Sequence, residues 1–473
     1  MGDTILTNPS CRDRRDPPSF PWPWLGVASV ARLVVMLSLP VLDDEAYYWT
    51  WSRHLQWGYL DHPPAVALLV ASATGPLGDA PWAMRVPSFL LAAATAWVVF
   101  RLTRELYGAG AAHRSQQLFH SIPVFVAGGF LVSPDAPFTF LWALSAWAAW
   151  RALRGQQRAW WLLGVSVGLG LQSKYSMAFL LPALAALVAG DRTVRGRPEP
   201  YGAAALAFLV FLPNLLWNAQ NGWSAFRFVW ERGAWVQAPP AVNLLLSLGA
   251  VLLYLSPVLG VLVLVAPWRN TGPADRFLRT LCLPTLLAAL AAAVLGKFKP
   301  HYIAPVALLG VPALAAWEGP RAARWRSVAS AVGALQSAAV VALAVVTLWD
   351  PGILADQRGW DRVAAEVVRR APAGAVVVTT TYQNAGQLSY ALRERYPVAV
   401  LPGPHTFDQW SPLRAYVGRP ALLVHDAASA PAQRYDWWCH RPQQLPDLVY
   451  PSSERPLRTF VFVRCPALSP PPR

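Results

Sequence analysis

Long apolar stretches recur along the chain, and they limit its possible folds more than any other sequence feature. About eleven are long enough to cross roughly 30 Å of hydrocarbon. They cover residues 22–41, 82–100, 117–132, 137–153, 159–172, 176–190, 201–217, 243–266, 279–296, 302–317 and 328–348. Only 14% of the 473 residues are charged, against about 25% in soluble domains. The sequence therefore predicts an α-helical polytopic membrane protein with about eleven transmembrane helices.

The distribution of arginine predicts the orientation of these spans. Every second connection is arginine-rich, and such connections stay on the cytoplasmic side. They hold Arg12, Arg14 and Arg15; Arg101, Arg104 and Arg114; Arg151, Arg154 and Arg158; Arg192, Arg195 and Arg197; Arg269, Arg276 and Arg279; and Arg321, Arg324 and Arg326. We therefore expect a cytoplasmic N-terminus, and we attribute the net charge of +15 to these loops. A nucleic-acid partner is not expected.

The composition changes near residue 350, where the apolar spans end. Residues 1–349 are predicted to form the transmembrane domain, and residues 350–473 a small extracytoplasmic α/β domain. Helix-like stretches at Asp361–Arg370 and Asn384–Arg395 alternate there with strand-like runs. Those runs are Ala375–Thr381, Val398–Leu401, Ala421–His425 and Thr459–Arg464. An odd number of spans sends this domain to the outer face.

Two cysteines, Cys439 and Cys465, fall in the predicted outer domain. In an oxidising compartment they are candidates for a disulfide. Spacing alone does not decide between a bridge and two thiols, so both alternatives stay open.

Acidic residues follow the first span directly. Asp43, Asp44 and Glu45 are succeeded by aromatic residues, and Asp61 and His62 lie further along the same outer loop. A carboxylate that is partly withdrawn from water and set against a hydroxyl can act as a general base. The alternative is a solvated loop whose acids only keep it outside the cytoplasm.

A second set of polar residues lies in the other outer loops. Asp135 occupies a turn between two spans, and several cations occur where arginine is scarce: Lys174, Lys297, Lys299 and His301, the last followed by Tyr302. Cations kept on this face suggest that they bind an anion at membrane level, for which a lipid-linked phosphate is the natural candidate. The alternative is a lysine that only extends its amine to the interface.

Together these residues predict glycosyl transfer from a polyprenyl-phosphate donor. A carboxylate would deprotonate the acceptor hydroxyl while cations stabilise the departing phosphate. The sequence leaves open a divalent metal ion held by Asp44, Glu45, Asp61 and His62. It also leaves open whether the acceptor is a lipid, a glycan or a protein.

The outer-loop motifs resemble the ArnT-like and protein-O-mannosyltransferase-related branch of the C-type membrane glycosyltransferases. The resemblance rests on Asp44–Trp49, Gly58–Pro64, Ser133–Pro137 and Ser173–Tyr175. It implies a multi-pass enzyme of a bacterial inner membrane. It also implies that Asp44 is the catalytic base with Glu45 beside it, and that Asp135 is the acid of the second outer loop.

The resemblance, together with the anion argument, makes six residues the candidates for binding the donor phosphate. They are His62, Lys174, Lys297, Lys299, His301 and Tyr302. The outer loop 218–240, rich in tryptophan, is interpreted either as a lid over the sugar or as an amphipathic helix lying at the membrane interface.

Two other functions are compatible with so many spans. A lipid or solute transporter is one, although its functional polar groups would be expected near the middle of the membrane. A scaffold protein is the other, but it would not explain the paired acids or the cations on the outer face.

Overall fold

The computed structural model describes residues 20–231, 238–350, 352–401, 403, 405–429, 438–439, 441–451 and 456–470. The chain divides into two compact units that do not follow one another in sequence. The helical unit comprises Met1–Val34 and Val86–Ala342. The mixed unit comprises Val35–Arg85 and Leu343–Arg473, so it contains both the first predicted outer loop and the C-terminal region.

Most of the described residues are helical. In chain order the helices are α1 (Trp22–Ser38), α2 (Asp43–Arg53), α3 (Ala65–Leu77), α4 (Pro81–Tyr107), α5 (Ala109–Ser121), α6 (Pro123–Ala127), α7 (Asp135–Leu153), α8 (Gln157–Ser173), α9 (Leu180–Gly190), α10 (Arg192–Arg195), α11 (Glu199–Gln220), α12 (Ser224–Glu231), α13 (Pro240–Leu255), α14 (Pro257–Arg269), α15 (Pro273–Val294), α16 (Ala304–Ala315), α17 (Pro320–Val346), α18 (Trp360–Arg370) and α19 (Tyr382–Leu392).

Two of the predicted spans are not continuous helices. The stretch 117–132 is broken because α5 ends at Ser121 and α6 begins at Pro123. The stretch 243–266 is divided between α13 and α14, which meet at an angle of 101°. Proline starts the second helix in both cases. Its ring disfavours helical geometry in the residue before it and removes a backbone N–H, so the spacing of apolar residues alone does not reveal the break.

Four of the described helices, α4, α11, α15 and α17, are long and apolar enough to cross a membrane. The number rises to six if α1 with α2, and α13 with α14, each count as one bent span. Large apolar side chains stay exposed on these helices, among them Leu253 at 72% and Leu335 at 74%. Exposed apolar surface of this kind suits contact with lipid. The total of about eleven spans remains a prediction.

Small residues allow helices of the helical unit to approach closely. A Cβ atom built on Gly164 of α8 would lie 2.6 Å from the carbonyl oxygen of Ala203 in α11, and one built on Gly168 would lie 2.8 Å from that of Ala207. Packing of backbone against backbone through small residues is typical of helices in membranes.

The C-terminal part of the mixed unit contains one five-stranded sheet. Its strands are β1 (Val376–Thr379), β2 (Val398–Val400), β3 (Ala421–Asp426), β4 (Gln443–Pro451) and β5 (Pro456–Cys465), in the order β2-β1-β3-β5-β4. β1 pairs in parallel with β2 and β3, whereas β5 runs antiparallel to β3 and β4. The prediction missed β4, which contains Pro446 and an irregular register, because proline disfavours a strand assignment.

A disulfide joins Cys439 to Cys465 at the end of β5, with 5.6 Å between the two Cα atoms. Of the two alternatives left open by the sequence, the structure has the bridge. Both cysteines are buried in one apolar cluster with Val463 of β5 and with Leu468, which follows the strand.

The mixed unit joins distant parts of the sequence because α2 packs against α19. A Cβ atom on Gly386 of α19 would lie 2.9 Å from the backbone nitrogen of Tyr47 and 3.0 Å from its Cα atom. Eight consecutive residues of α2, from Glu45 to Ser52, are buried. The predicted boundary at residue 350 does not include this packing, which no local sequence pattern reports.

We expect Gly310→Ala to destabilise the helical unit. The new methyl group would collide with the carbonyl oxygen of Val263, and overpacking a close contact costs about 1–3 kcal/mol. The measurement is the apparent melting temperature in detergent, with Gly249→Ala as the control because a Cβ atom there meets nothing within 4 Å. Equal melting temperatures for the two variants would contradict the close contact.

Candidate active site

The three acids that begin α2 have different surroundings. Asp43, Asp44 and Glu45 all lie in the first turn, where the positive end of the helix dipole favours negative charge. Asp43 is half-buried, Asp44 is exposed and Glu45 is buried. Of the three, Asp44 therefore offers its carboxylate most openly to a molecule arriving from outside.

Glu45 forms a buried ion pair with Arg85. The two Glu45 oxygens accept from Nε and one terminal nitrogen of Arg85 at 2.9 and 2.5 Å. The exposed fraction is 0% for the Arg85 side chain and 1% for that of Glu45. Glu45 was predicted to lie beside the catalytic base. In the structure both of its carboxylate oxygens accept from Arg85, so its role here is structural.

The same arginine also binds the chain that leads into α2. Its terminal nitrogens donate to the carbonyl oxygens of Met36, Leu39 and Pro40 at 2.7 to 3.0 Å. These carbonyls end or follow α1 and have no helical partner of their own. The sequence analysis missed Arg85, although a charged residue inside the apolar stretch 82–100 was the signal.

Asp61 and His62 belong to the same unit as Asp44 and are half-buried. The hydroxyl of Tyr47 donates to Asp61 at 2.8 Å, and the backbone N–H of Tyr59 donates to the carbonyl oxygen of His62 at 3.1 Å. Burial and the Asp61 carboxylate hold the pKa of Tyr47 well above its ordinary value of 10.0. Tyr47 therefore stays protonated and remains a donor to Asp61.

The predicted metal ligands do not form a centre in this structure. Among the described residues, no three His, Cys, Asp or Glu side chains come together in a way that could hold a metal ion. Asp44, Glu45, Asp61 and His62 therefore do not fit the proposed ligand set, since Glu45 is bound by Arg85 and Asp61 accepts from Tyr47.

In the helical unit the structure brings Asp135 and Lys174 together. The Nζ atom of Lys174 lies 2.5 Å from an oxygen of Asp135 and 5.6 Å from the ring centre of Phe138. The Lys174 side chain is only 10% exposed, whereas that of Asp135 is 32% exposed. Lys174, predicted to bind phosphate, thus has its charge compensated by the acid of the second outer loop.

Asp135 and His301 line one cavity of about 220 Å³ in the helical unit. The cavity is mostly apolar, with Tyr254 and Ser133 as further polar neighbours. It combines an acid, an imidazole and a phenol with an apolar wall. The sequence analysis missed Tyr254, which lies near the end of the mainly apolar helix α13.

Lys297, Lys299, His301 and Tyr302 lie in the connection between α15 and α16, where residues Pro300–Ile303 form a 3-10 turn. All four are half-buried, and the Nζ atom of Lys297 donates to the carbonyl oxygen of Trp230 at 3.4 Å. The connection therefore groups two lysines and a histidine within five residues.

The outer loop 218–240 is helical in part. Its helix α12 is preceded by Trp223, and Trp230 near its end is 84% exposed. Phe226 on the same helix packs against Tyr175, with ring centres 4.8 Å apart. Residues 232–237 of this loop lie outside the described residues.

Known proteins resemble this chain in sequence. Residues 61–217 match the family described as dolichyl-phosphate-mannose-protein mannosyltransferase. The chain is 26% identical over 298 residues to the lipid A galacturonosyltransferase RgtD of Rhizobium johnstonii, covering 60% of this chain and 62% of that protein. It is 32% identical over 171 residues to the undecaprenyl phosphate-alpha-4-amino-4-deoxy-L-arabinose arabinosyl transferase of Pseudomonas paraeruginosa, covering 35% and 31%. The chain thus spans less than two thirds of the length of these relatives.

Solved structures resemble it in fold. ArnT from Cupriavidus metallidurans bound to undecaprenyl phosphate gives a TM-score of 0.65 at 15% identity, over 94% of this chain and 97% of that chain. The mycobacterial arabinofuranosyltransferase AftD gives 0.52 at 13% identity, over 96% of this chain and 42% of that chain. The fold is that of a mostly helical polytopic membrane protein with a small sheet.

We expect Arg85→Leu to destabilise the mixed unit strongly. The substitution leaves Glu45 buried and without its cation, and breaking a buried pair in this way costs about 3–5 kcal/mol. Thermal unfolding in detergent measures the loss. Arg369→Leu is the control, because Arg369 is exposed and its partner Glu366 keeps a second pair with Arg370, and an ion pair of this kind contributes about 1 kcal/mol or less. Comparable losses for the two variants would refute a special role of the buried pair.

Proposed function

Because the chain belongs to the ArnT-like and protein-O-mannosyltransferase-related family of membrane glycosyltransferases, we propose that it transfers a sugar from a polyprenyl-phosphate donor. The acceptor is a lipid, glycan or protein hydroxyl on the outer face of a bacterial inner membrane. The observation that carries this proposal is the exposure of Asp44 in the acidic first turn of α2.

Asp44 is the proposed general base. Its carboxylate takes the proton of the acceptor hydroxyl while that oxygen attacks the anomeric carbon of the donor. The bond between this carbon and the phosphate oxygen breaks, and polyprenyl phosphate leaves with the electron pair. A single displacement of this kind inverts the anomeric centre.

The cations of the helical unit are proposed to stabilise the leaving phosphate. Lys299 and His301 belong to the cationic connection between α15 and α16, and Lys297 adds a further charge there. Fixed positive charge at the site where negative charge develops lowers the barrier. Lys174 is assigned a different task, because its ion pair at 2.5 Å holds Asp135 in place. No step is assigned to a metal ion, since the residues named for one do not form a centre.

We also propose a cytoplasmic N-terminus, about eleven spans and an extracytoplasmic C-terminal domain. The alternation of arginine-rich loops supports this orientation. The disulfide between Cys439 and Cys465 supports it independently, because disulfides persist in oxidising compartments such as the bacterial periplasm.

We expect Asp44→Asn to abolish transfer, since an amide cannot accept the hydroxyl proton at neutral pH. The assay follows release of polyprenyl phosphate from a panel of radiolabelled polyprenyl-phosphate sugars, with a membrane extract as acceptor and with and without chelator. Asp361→Asn is the control, because Asp361 is an exposed acid of the same unit. Full activity in a folded Asp44→Asn variant would remove Asp44 from this role. Absence of turnover in the wild type, together with lipid movement across vesicles, would favour a transporter.

We expect Lys299→Ala to raise the KM for the donor, mainly at low salt. Salt screens charge over a Debye length of about 10 Å at 0.1 M, so the donor KM of the wild type should approach that of the variant as ionic strength rises. Arg414→Ala is the control, since it removes an exposed cation of the C-terminal region. An unchanged KM at low salt would show that Lys299 does not bind the donor.

A further inference from the structure

Helix α2 is too short to be stable without tertiary contacts. It has 11 residues, and isolated helices shorter than about 12–15 residues are marginal in water. Its position therefore depends on what packs against it. Within the mixed unit, the element in closest contact is α19, through the backbone approach at Gly386.

Two glutamines of the C-terminal region form hydrogen bonds to the first residue of α2. Nε2 of Gln387 donates to one carboxylate oxygen of Asp43 at 2.9 Å, and Nε2 of Gln357 donates to the other at 3.0 Å. The backbone N–H of Asp43 donates to the amide oxygen of Gln357 at 2.6 Å. Gln387 also donates to the carbonyl oxygen of Val41 at 3.1 Å. The peptide on each side of Leu42 is thus fixed immediately before Asp44.

The middle of α2 is held as well. The Tyr47 ring lies 4.7 Å from that of Tyr382 and 5.9 Å from that of Phe407, centre to centre. The hydroxyl of Tyr47 accepts the backbone N–H of Thr406 at 3.3 Å. The C-terminal region therefore contacts α2 along more than one turn.

Asp79, in the loop before α4, binds both α2 and α19. The side chain of Asp79 accepts the indole N–H of Trp49 at 2.8 Å and pairs with Arg53. The backbone carbonyl of Asp79 accepts the hydroxyl of Tyr390 in α19 at 2.6 Å. Asp79 thus connects the C-terminal half of α2 to α19. The glutamines, in contrast, bind the first residue of α2.

We propose that the C-terminal region positions the catalytic base, with Gln357 and Gln387 acting as positioning residues through Asp43 and with Gly386 allowing α19 to seat against α2. This inference rests on the proposed function of Asp44. Neither glutamine touches the reacting atoms. They fix the carboxylate of Asp43, the residue next to the base. Such positioning affects the rate because a displacement of about 1 Å at a reacting group can lower the rate about a hundredfold.

The first test compares Gly386→Ala with Gly403→Ala. The methyl group at residue 386 meets the backbone of α2, which cannot rotate away, whereas a Cβ atom at residue 403 meets nothing within 4 Å. We expect Gly386→Ala to lower kcat about tenfold or more with the donor KM unchanged, and Gly403→Ala to behave as the wild type. Hydrogen exchange of the amides of residues 43–53 should be faster in Gly386→Ala alone.

The second test uses Gln387→Leu, which removes the amide without adding volume against the backbone of α2. Its loss in kcat should be less than additive with that of Asp43→Ala in the double variant, because both substitutions remove the bond between Gln387 and Asp43, whereas the bond from Gln387 to Val41 is separate. Cys465→Ala provides the structural control, since it weakens the sheet without touching α2. It should lower the melting temperature while kcat, measured below the transition, stays unchanged.

The outcomes separate the two proposals. No turnover in the wild type and in Gly403→Ala would refute the proposed function, whatever the exchange data show. An active wild type with full kcat in both Gly386→Ala and Gln387→Leu would overturn the positioning role and leave the function intact. Additive losses in the double variant, or a fall in kcat with Cys465→Ala as large as that with Gln387→Leu, would also overturn it.

Discussion

The mixed unit depends on one buried ion pair, that between Glu45 and Arg85. Withdrawing two charges from water is costly, and the cost is offset only when the geometry is good and the remaining polar groups are bonded. Here all the nitrogens of Arg85 have acceptors: the two oxygens of Glu45, and three carbonyl oxygens in the last turn of α1 or directly after it. The pair therefore fixes the point at which the chain leaves α1 and begins α2. The pair thus sets where α2 begins, and contacts with α19 hold the helix from there.

Three adjacent acids can then serve three purposes. Glu45 faces inward and binds Arg85, while Asp43 is bonded to two glutamine amides, although burial still raises the pKa of its carboxyl. Asp44 lies between them and is exposed. A helix separates successive side chains by about 100°, so neighbours in one turn necessarily face different surroundings. The division between structural and chemical roles follows from this geometry, and the composition of the acidic run does not reveal it.

The sequence predicted what depends on local pattern. Apolar stretches, arginine-rich loops and β-branched runs led to many of the helices, the candidate outer loops and four of the five strands, but not to α2 or α3. It did not predict what depends on distant contacts. Arg85 lies 40 residues from Glu45 and Lys174 lies 39 from Asp135, so neither pair has a local signature. Gln357 and Gln387 are more than 300 residues from Asp43, and glutamine gives no signal of its own. Breaks at Pro123 and Pro257 were missed because both halves remain apolar.

The order of the chain adds a consequence for assembly. Residues 35–85 and 343–473 form one unit, although the whole of 86–342 is synthesised between them. Contacts between such distant segments form late, because a long loop must close before any of them stabilises the fold. Helix α2 is too short to hold its place alone. The carboxylate of Asp44 is therefore fixed only once the C-terminal region has folded against α2, so the proposed base acquires its geometry after the intervening helices have been synthesised.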